Sequence, residues 1–440
     1  MSYARRRPHR TGTTGAGPGE FYRRRQRRRE RALLASTAVG PTLGQVAQPE
    51  ALIAAYDALA AHGGKAPGPD GLTYADLGRG EACAVLCELS PVILGGEYTP
   101  SAGRKLAIPK PGGGTRTLTI DNIIDRVVAA ALARALTPLF EAVFLPCSYG
   151  FRPNLGTWDL LADLMASMTA VRITTLAVDD VRKAFDHVPI APLMETFREH
   201  ITDPSLLQLV EMILRGGEDR GRAAGIAQGS PLSPLALNVM LHHAHDLPLE
   251  ADRDFPPLFR FADNLTFLCA GVPEGHQALD RVRQLLARAG LTLKGQDGPP
   301  VDLREGGSAS LLGFRLSMHE DRLRLGLGKD ALESDMAMCM INAHDDPDPH
   351  RVARTALRGW ISSYGPALGD LTDDDTGTIL RTAARHGFRE LASGEELTHW
   401  CTASWARWTV RYTAALRRLG LTDEDCLFVA APPATVRPGV

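Results

Sequence analysis

A short β-branched run, Thr174 to Val178, leads directly into Asp179 and Asp180, and two further runs, Leu258 to Phe261 and Leu265 to Cys269, bracket Ala262-Asp263-Asn264 as a hairpin. No other feature of the chain constrains the fold as much. Carboxylates at two strand ends, each flanked by apolar residues, call for a sheet in which those strands lie side by side and bring Asp180 and Asp263 together. On its own the pair decides little, because an aspartate after a strand is ordinarily a turn or cap residue.

The flanking patterns build an α+β body around these strands. Ala51 to Ala61 reads as an amphipathic helix that starts near Pro49 and stops at Gly63-Gly64, before the turn-rich Lys65 to Gly71. Arg104 to Ile108 and Thr115 to Ile120 read as strands joined by the hairpin chemistry of Pro109 to Gly114, and Asp121 is placed to cap a helix from about Ile123 to Leu139. Pro204 to Arg215 and Pro231 to His243 have helical character. After about Asp330 strand patterning gives way to helices around Arg351 to Ser363, Thr376 to Ala392 and Leu397 to Leu419. The chain divides into three regions: a basic extension over 1–48, an α+β body over 49–330 and a separate helical domain over 331–440.

Composition narrows the classes. With 44% hydrophobic and 23% charged residues, the chain suits a globular protein of two or three domains with sizeable cores. Its longest apolar runs are too short to span a bilayer and the arginine-rich start does not read as a signal peptide, so no membrane partner is expected and the expected location is the cytoplasm. The 7 cysteines read as reduced structural thiols, since Cys83 and Cys87 lack a second closely spaced pair to complete a zinc site. A net charge of −2 does not announce a nucleic-acid binder, but its distribution is uneven: Arg5 to Arg7, Arg10, Arg23 to Arg25, Arg27 to Arg29 and Arg31 crowd the first residues. Such an arm either grips a structured RNA through its phosphates or is a solvated tail.

The order of the motifs gives the acidic strand ends their meaning. Val178-Asp-Asp-Val-Arg-Lys-Ala-Phe-Asp-His-Val188, Gly225-Ile-Ala-Gln-Gly-Ser-Pro-Leu-Ser-Pro234 with Asn238, Arg260-Phe-Ala-Asp-Asn264 and Leu311-Leu-Gly-Phe314 succeed one another along the chain. Upstream stand Ile108-Pro-Lys-Pro-Gly-Gly-Gly-Thr-Arg-Thr-Leu118, Asp125-Arg-Val-Val128 and Ser148-Tyr-Gly-Phe-Arg-Pro153; downstream stands Leu357-Arg-Gly-Trp-Ile-Ser-Ser-Tyr364. In sequence, order and spacing this set resembles the reverse transcriptases of bacterial group II introns, over about Gly64 to Trp408. The resemblance implies a right-hand polymerase with fingers, an antiparallel palm and a helical thumb.

It also implies roles. Asp180, the carbonyl of Val181 and Asp263 would hold two Mg2+ ions, with Mn2+ as the alternative, and Asn264 would complete the catalytic group. Phe185 falls at the position of a steric gate that favours dNTPs over ribonucleotides; the plain alternative is a core aromatic. Gln228 and Gly229 would lie under the incoming nucleotide, because glycine lets the backbone approach and the amide can hydrogen-bond. Lys110 and Arg116 would meet the triphosphate, or are exposed turn charges. Arg152 would hold the template backbone or a structural carboxylate. Leu312, Gly313 and Phe314 would support the primer terminus, and Arg358 the duplex. The partners implied are an RNA template, expected to be a structured RNA, a DNA product and dNTPs; oligomeric state is open.

Besides tolerated changes at Ala227, where Pro is usual, and Ser230, where Gly is usual, the chain departs from the pattern at three places. Asn264 replaces the second aspartate of the third motif, which removes a charge and predicts altered metal preference. A lysine expected after Gly290 to Leu293, able to protonate pyrophosphate, is out of register: Lys294 comes early and Asp297 stands near its place. No His/Cys nuclease segment comes after the thumb-like region, so a domesticated polymerase, with antiphage defence as its expected role, is predicted rather than a mobile-intron enzyme. Two alternatives stand beside it: an RNA-binding pseudo-polymerase whose catalysis is impaired at Asn264, and a template-free or RNA-synthesising nucleotidyltransferase on the same palm.

Overall fold

The computed structural model describes residues 40–109, 115–217, 221–295, 298–369 and 373–422. Most of the basic arm, together with Lys110 and Asp297, lies outside the described residues. Helices α1 (Pro49–His62) and α2 (Arg79–Leu94) precede a ribbon of β1 (Arg104–Pro109) and β2 (Thr115–Ile120), whose Leu106 and Ile108 are exposed. Helix α3 (Ile123–Glu141) is buried on more than one face in its first half, through Ile123, Val127, Val128 and Leu132, and farther on through Leu136 and Phe140. Its N-cap is Asn122 and not Asp121. Asp121 instead sits partly buried, and burial first, then the charge of Asp125, pushes its pKa up to about 6.

Next come α4 (Thr157–Val171), β3 (Thr175–Asp180), α5 (Ile190–His200), α6 (Pro204–Arg215) and α7 (Ser233–Leu241), the last running into a π-helical turn at His242–Asp246. The chain continues through β4 (Leu258–Phe261), β5 (Asn264–Cys269), α8 (Val272–Arg288) and β6 (Val301–Asp302). The central sheet has the order β4-β5-β3-β6 and is antiparallel at every pairing. A second sheet joins β7 (Ser308–Leu311), β8 (Phe314–His319) and β9 (Arg322–Leu327), again antiparallel. Helices α9 (Ala337–Ala343), α10 (Pro349–Tyr364), α11 (Asp373–Arg385) and α12 (Gly394–Arg418) complete the described chain. Helix α11 stops earlier than its composition predicts. Gly387 takes a left-handed φ of 88° and, with Phe388, returns hydrogen bonds to the carbonyls of Ala384 and Ala383, a Schellman end.

The central sheet separates two cores, and the alternation of its side chains assigns them. Ala177, Leu265, Phe267 and Cys269 face a core shared with α1, α2, α3 and α5 to α8. Leu176, Val178, Phe259 and Leu268 face a second core built from α4, the β7–β9 sheet and the C-terminal helices. Helix α12 lies along α4, tied by Arg411 to Asp159 and by Arg418 to Asp163, each at 2.6 Å. The region after 330 is helical as expected, but it closes no core of its own: its apolar side chains need α4 and the β7–β9 sheet beneath them.

Candidate active site

Strand β3 is buried on both faces up to Asp179, which accounts for its unbroken apolar run, and only at Asp180 does it reach the surface. Its pairing with β5 sets Asp180 opposite Asn264. Beyond the paired residues Val181 N donates to Asp263 O at 2.9 Å, so the two acidic motifs are stitched together by backbone. Asp263 sits in the two-residue turn between β4 and β5, where Ala262 holds a φ of 54°. An alanine in the left-handed region is strained by about 1 kcal/mol or more. A buried network holds it there. Arg260 Nη1 donates to Ala262 O (3.0 Å) and to Asn238 Oδ1 (2.8 Å), while its Nε and Nη2 clasp Asp246. Asn238 in turn donates to Gly150 O, and a Cβ at Gly150 would stand 2.3 Å from Ala262 N. Burial opposes ionisation of Asp246, yet the guanidinium and His245 hold its pKa well below the usual carboxylate range.

The adjacent aspartates divide their work. Asp179 turns inward, accepting from the backbone N–H of Asp180 and of Gly295, both at 2.9 Å. Asp180 faces the opening and accepts from Asn264 Nδ2 at 2.8 Å and from Lys294 Nζ at 3.4 Å. Asn264 Oδ1 is buried and has no hydrogen-bond partner among the described residues. Burial first, and Asp180 second, raise the pKa of Asp263, with Arg116 and Lys294 pulling the other way. Lys294, which the sequence pattern sets out of register, is brought to the site after all. A bridge pairs Val181 with Leu293, and Lys294 N donates to Asp180 O at 2.7 Å, so the amine arrives beside the carboxylate.

The residues expected to meet a nucleotide are tied to neighbouring motifs. Phe185 is half-buried and meets the ring of Phe151 edge-on at 6.2 Å. Phe151, which sequence reading did not single out, is 48% exposed with a φ of 58°. Gln228 Nε2 donates to Asp186 Oδ1 at 3.2 Å, and Gln228 O accepts from Thr119 N at 2.7 Å, which fastens this motif to the base of the ribbon. Gly229 has a φ of 116° and a Cβ there would lie 2.5 Å from Thr119 O, so only glycine fits. Arg116 is exposed on β2, and its charge acts on Asp263.

Residues 108–296, a span holding Asp180, Phe185, Gln228 and Asp263, match the family described as reverse transcriptase (RNA-dependent DNA polymerase). This span is a reverse transcriptase domain. Group II intron-encoded proteins are among the relatives it resembles. The protein YkfC of Escherichia coli (strain K12) is 31% identical over 206 residues, which cover 45% of this chain and 54% of that protein. The group II intron-encoded protein LtrA of Lactococcus lactis subsp. cremoris is 27% identical over 171 residues, 37% of this chain and 28% of the relative. The chain thus spans about half of YkfC and under a third of the intron protein. Among solved structures, apo telomerase from Candida tropicalis aligns with 73% of this chain and 61% of its own at a TM-score of 0.41 and 11% identity, a likeness too loose to argue from.

Two further expected site residues are engaged within the protein. Arg152 holds a structural carboxylate, one of the two readings its sequence allowed. Its Nε and Nη2 hold Glu141, its Nη1 donates to the carbonyls of Leu145 and Ser148, and the guanidinium lies over Phe144. Phe314 likewise cannot touch a primer with its side chain, which is buried in the second core against Tyr364. Leu312 and Gly313 form the β7–β8 turn, with φ of 51° and 85°, and remain the part of that motif a primer could reach. Arg358 is exposed, its guanidinium 5.9 Å from the centre of the Trp400 ring, on which Arg354 also stacks.

Proposed function

We propose that this chain is an RNA-directed DNA polymerase that extends a primer with deoxynucleotides, using Mg2+ in a two-metal site. The observation that carries the reading is the union of Asp180 and Asp263 at one end of the central sheet, near enough that Asp180 helps raise the pKa of Asp263. Two such carboxylates repel each other until cations lie between them. Lys294 supplies one positive charge, and the buried Asn264 Oδ1 still lacks a donor. Oxygen donors of this kind fit Mg2+, and also Mn2+: Asp180, Asp263 and the carbonyl of Val181 would hold the ions. When bound, they supply the positive charge that activates a primer hydroxyl and neutralises the departing pyrophosphate.

The remaining work belongs to the chain itself. Asn264 Nδ2 fixes the orientation of Asp180. Lys294, whose amine lies 3.4 Å from Asp180, would donate the proton that the leaving group takes up. Phe185, backed by Phe151, is the gate against a 2′-hydroxyl. Gln228 and Gly229 form the floor under the nucleotide, Arg116 and Lys110 take the triphosphate, and the Leu312-Gly313 turn with Arg358 receives primer and template. A structured RNA is the template, held in part by the arginine-rich arm. Antiphage defence in the cytoplasm is the setting we assign to it, by analogy with the reverse transcriptases it resembles.

Primer extension on an RNA template tests the reading, with dNTPs or rNTPs and with Mg2+ or Mn2+. DNA product is expected from the wild-type protein, with no ribonucleotide product, and Asp180→Ala should remove it entirely. Synthesis that ignores the template would favour a terminal transferase. Silence under every condition, together with tight RNA binding, would leave an RNA-binding scaffold in place of an enzyme.

A further inference from the structure

A cluster of side chains with donor atoms suited to a metal lies at the end of α5 and in the turn after α7. Glu199 and His200 close the C-terminus of α5, and His243 stands in the π-helical turn after α7. Their ligand atoms all lie within 4.8 Å of one another, with His243 Nδ1 3.9 Å from Glu199 Oε2. The Nε2 atoms of both histidines are buried and have no hydrogen-bond partner among the described residues. The rings are not free to turn away. His200 packs edge-on against Phe140 at 5.2 Å, and His243 is held between His200 and His242 at 5.7 and 5.1 Å.

We propose that Glu199, His200 and His243 form a transition-metal site, with Zn2+ as the fitting ion. Two imidazole nitrogens and one carboxylate oxygen are the donor set zinc prefers, and the fourth position is left to water on the exposed Glu199 side. Mg2+ is a poor competitor because it takes oxygen ligands. Burial lowers the pKa of both histidines, against the opposing charge of Glu199, so both rings are neutral and able to ligate at pH 7. Orphaned ring nitrogens are what an ion would satisfy.

The location assigns the ion a bracing role. It would bind the end of α5 to the π-helical turn, three residues before Asp246, the carboxylate that grips Arg260 and through it the turn carrying Asp263. A π-helical insertion of this kind often marks a functional position. The site is separate from the two-metal centre, so the inference stands whether or not the polymerase reading does.

Co2+ is the probe, because its visible absorption reports tetrahedral nitrogen and oxygen ligands. The metal-stripped full chain is titrated with Co2+ in excess Mg2+, then with Zn2+, alongside His200→Gln, His243→Gln and Glu199→Gln. The expected result is a tetrahedral Co2+ band from one ion per chain, displaced by Zn2+, a rise in Tm with Zn2+, and loss of both in either histidine variant. Glu199 is exposed and its variant folds whatever the histidines do to packing; it should bind on the order of tenfold more weakly. Absence of the band in the wild-type protein, or its survival unchanged in Glu199→Gln and His243→Gln, would overturn the assignment and leave a stack of aromatic rings.

Discussion

Asn264 is where the site differs most from a site of three carboxylates, and the structure gives that difference a physical form. Its amide donates to Asp180 where a second carboxylate would repel it. Asn264→Asp should therefore tighten Mg2+ binding, on the order of tenfold in the concentration needed for half-maximal extension, as read from a Mg2+ titration of activity. Asp263 sets a pH dependence. Its folded pKa is raised, so in the metal-free protein its contribution to stability is present in acid and lost as pH rises through that value, while a bound cation demands the ionised form. Activity should fall on acidification at a higher pH than for an ordinary aspartate, and added Mg2+ should move that fall to lower pH in a rate profile. Asp121 offers a cleaner case, with burial holding it at about 6. Its stabilising contribution is full below the ordinary value near 4 and gone above 6, so Asp121→Asn should raise stability at pH 7 by ~3 kcal/mol at most and leave it unchanged at pH 4, by thermal melts at both. Asp180, Asp263 and Phe185 were legible because several motifs stand in order. Lys294 was not, since a backbone bridge brings it to the site and spacing alone cannot reveal a bridge. Arg152 had two readings in sequence, and which carboxylate lies beside it, Glu141, is visible only in the fold.

At the scale of elements, the strands that carry the acids were read nearly to the residue, because apolar runs ending in polar turns are unambiguous. Errors fell where backbone geometry overrides composition. Helix α11 stops at its Schellman glycine, α7 passes into a π turn, and α3 is capped by Asn122, one residue after the aspartate expected. The β4–β5 turn depends on an element distant in sequence. Gly150 presses on Ala262 N, so Gly150→Ala should displace the Asp263 turn, lowering the extension rate by tenfold or more with little change in circular dichroism. The Arg260–Asp246 pair beneath the turn is a buried ion pair, of the type whose one-sided removal costs about 3–5 kcal/mol. The glycine test is sharper because it leaves that pair intact.

For the whole molecule, the helical region after 330 was legible as helices but not as a partner in packing. Core membership depends on which faces meet, and a hydrophobic stripe does not name its partner. Helix α4 is buried from Leu160 to Thr169 between the central sheet and α12, with Tyr412, Trp408 and Leu416 in the same core. A fragment ending at residue 330 should therefore aggregate or lack a cooperative melt, as followed by gel filtration and thermal denaturation, whereas the full chain melts cooperatively. The same shared core bears on how a nucleic-acid duplex would advance. Swinging the C-terminal helices away from the sheet would open apolar surface to water at about 25 cal/mol per Å2, a steep barrier to repeat at every nucleotide. The ribbon of β1 and β2 stands apart from that shared core, exposing Leu106 and Ile108 while Thr119 N fastens its base to Gln228 O. Under the activity proposed above, a duplex would advance across a cradle that stays closed, and long products should come from its slow release.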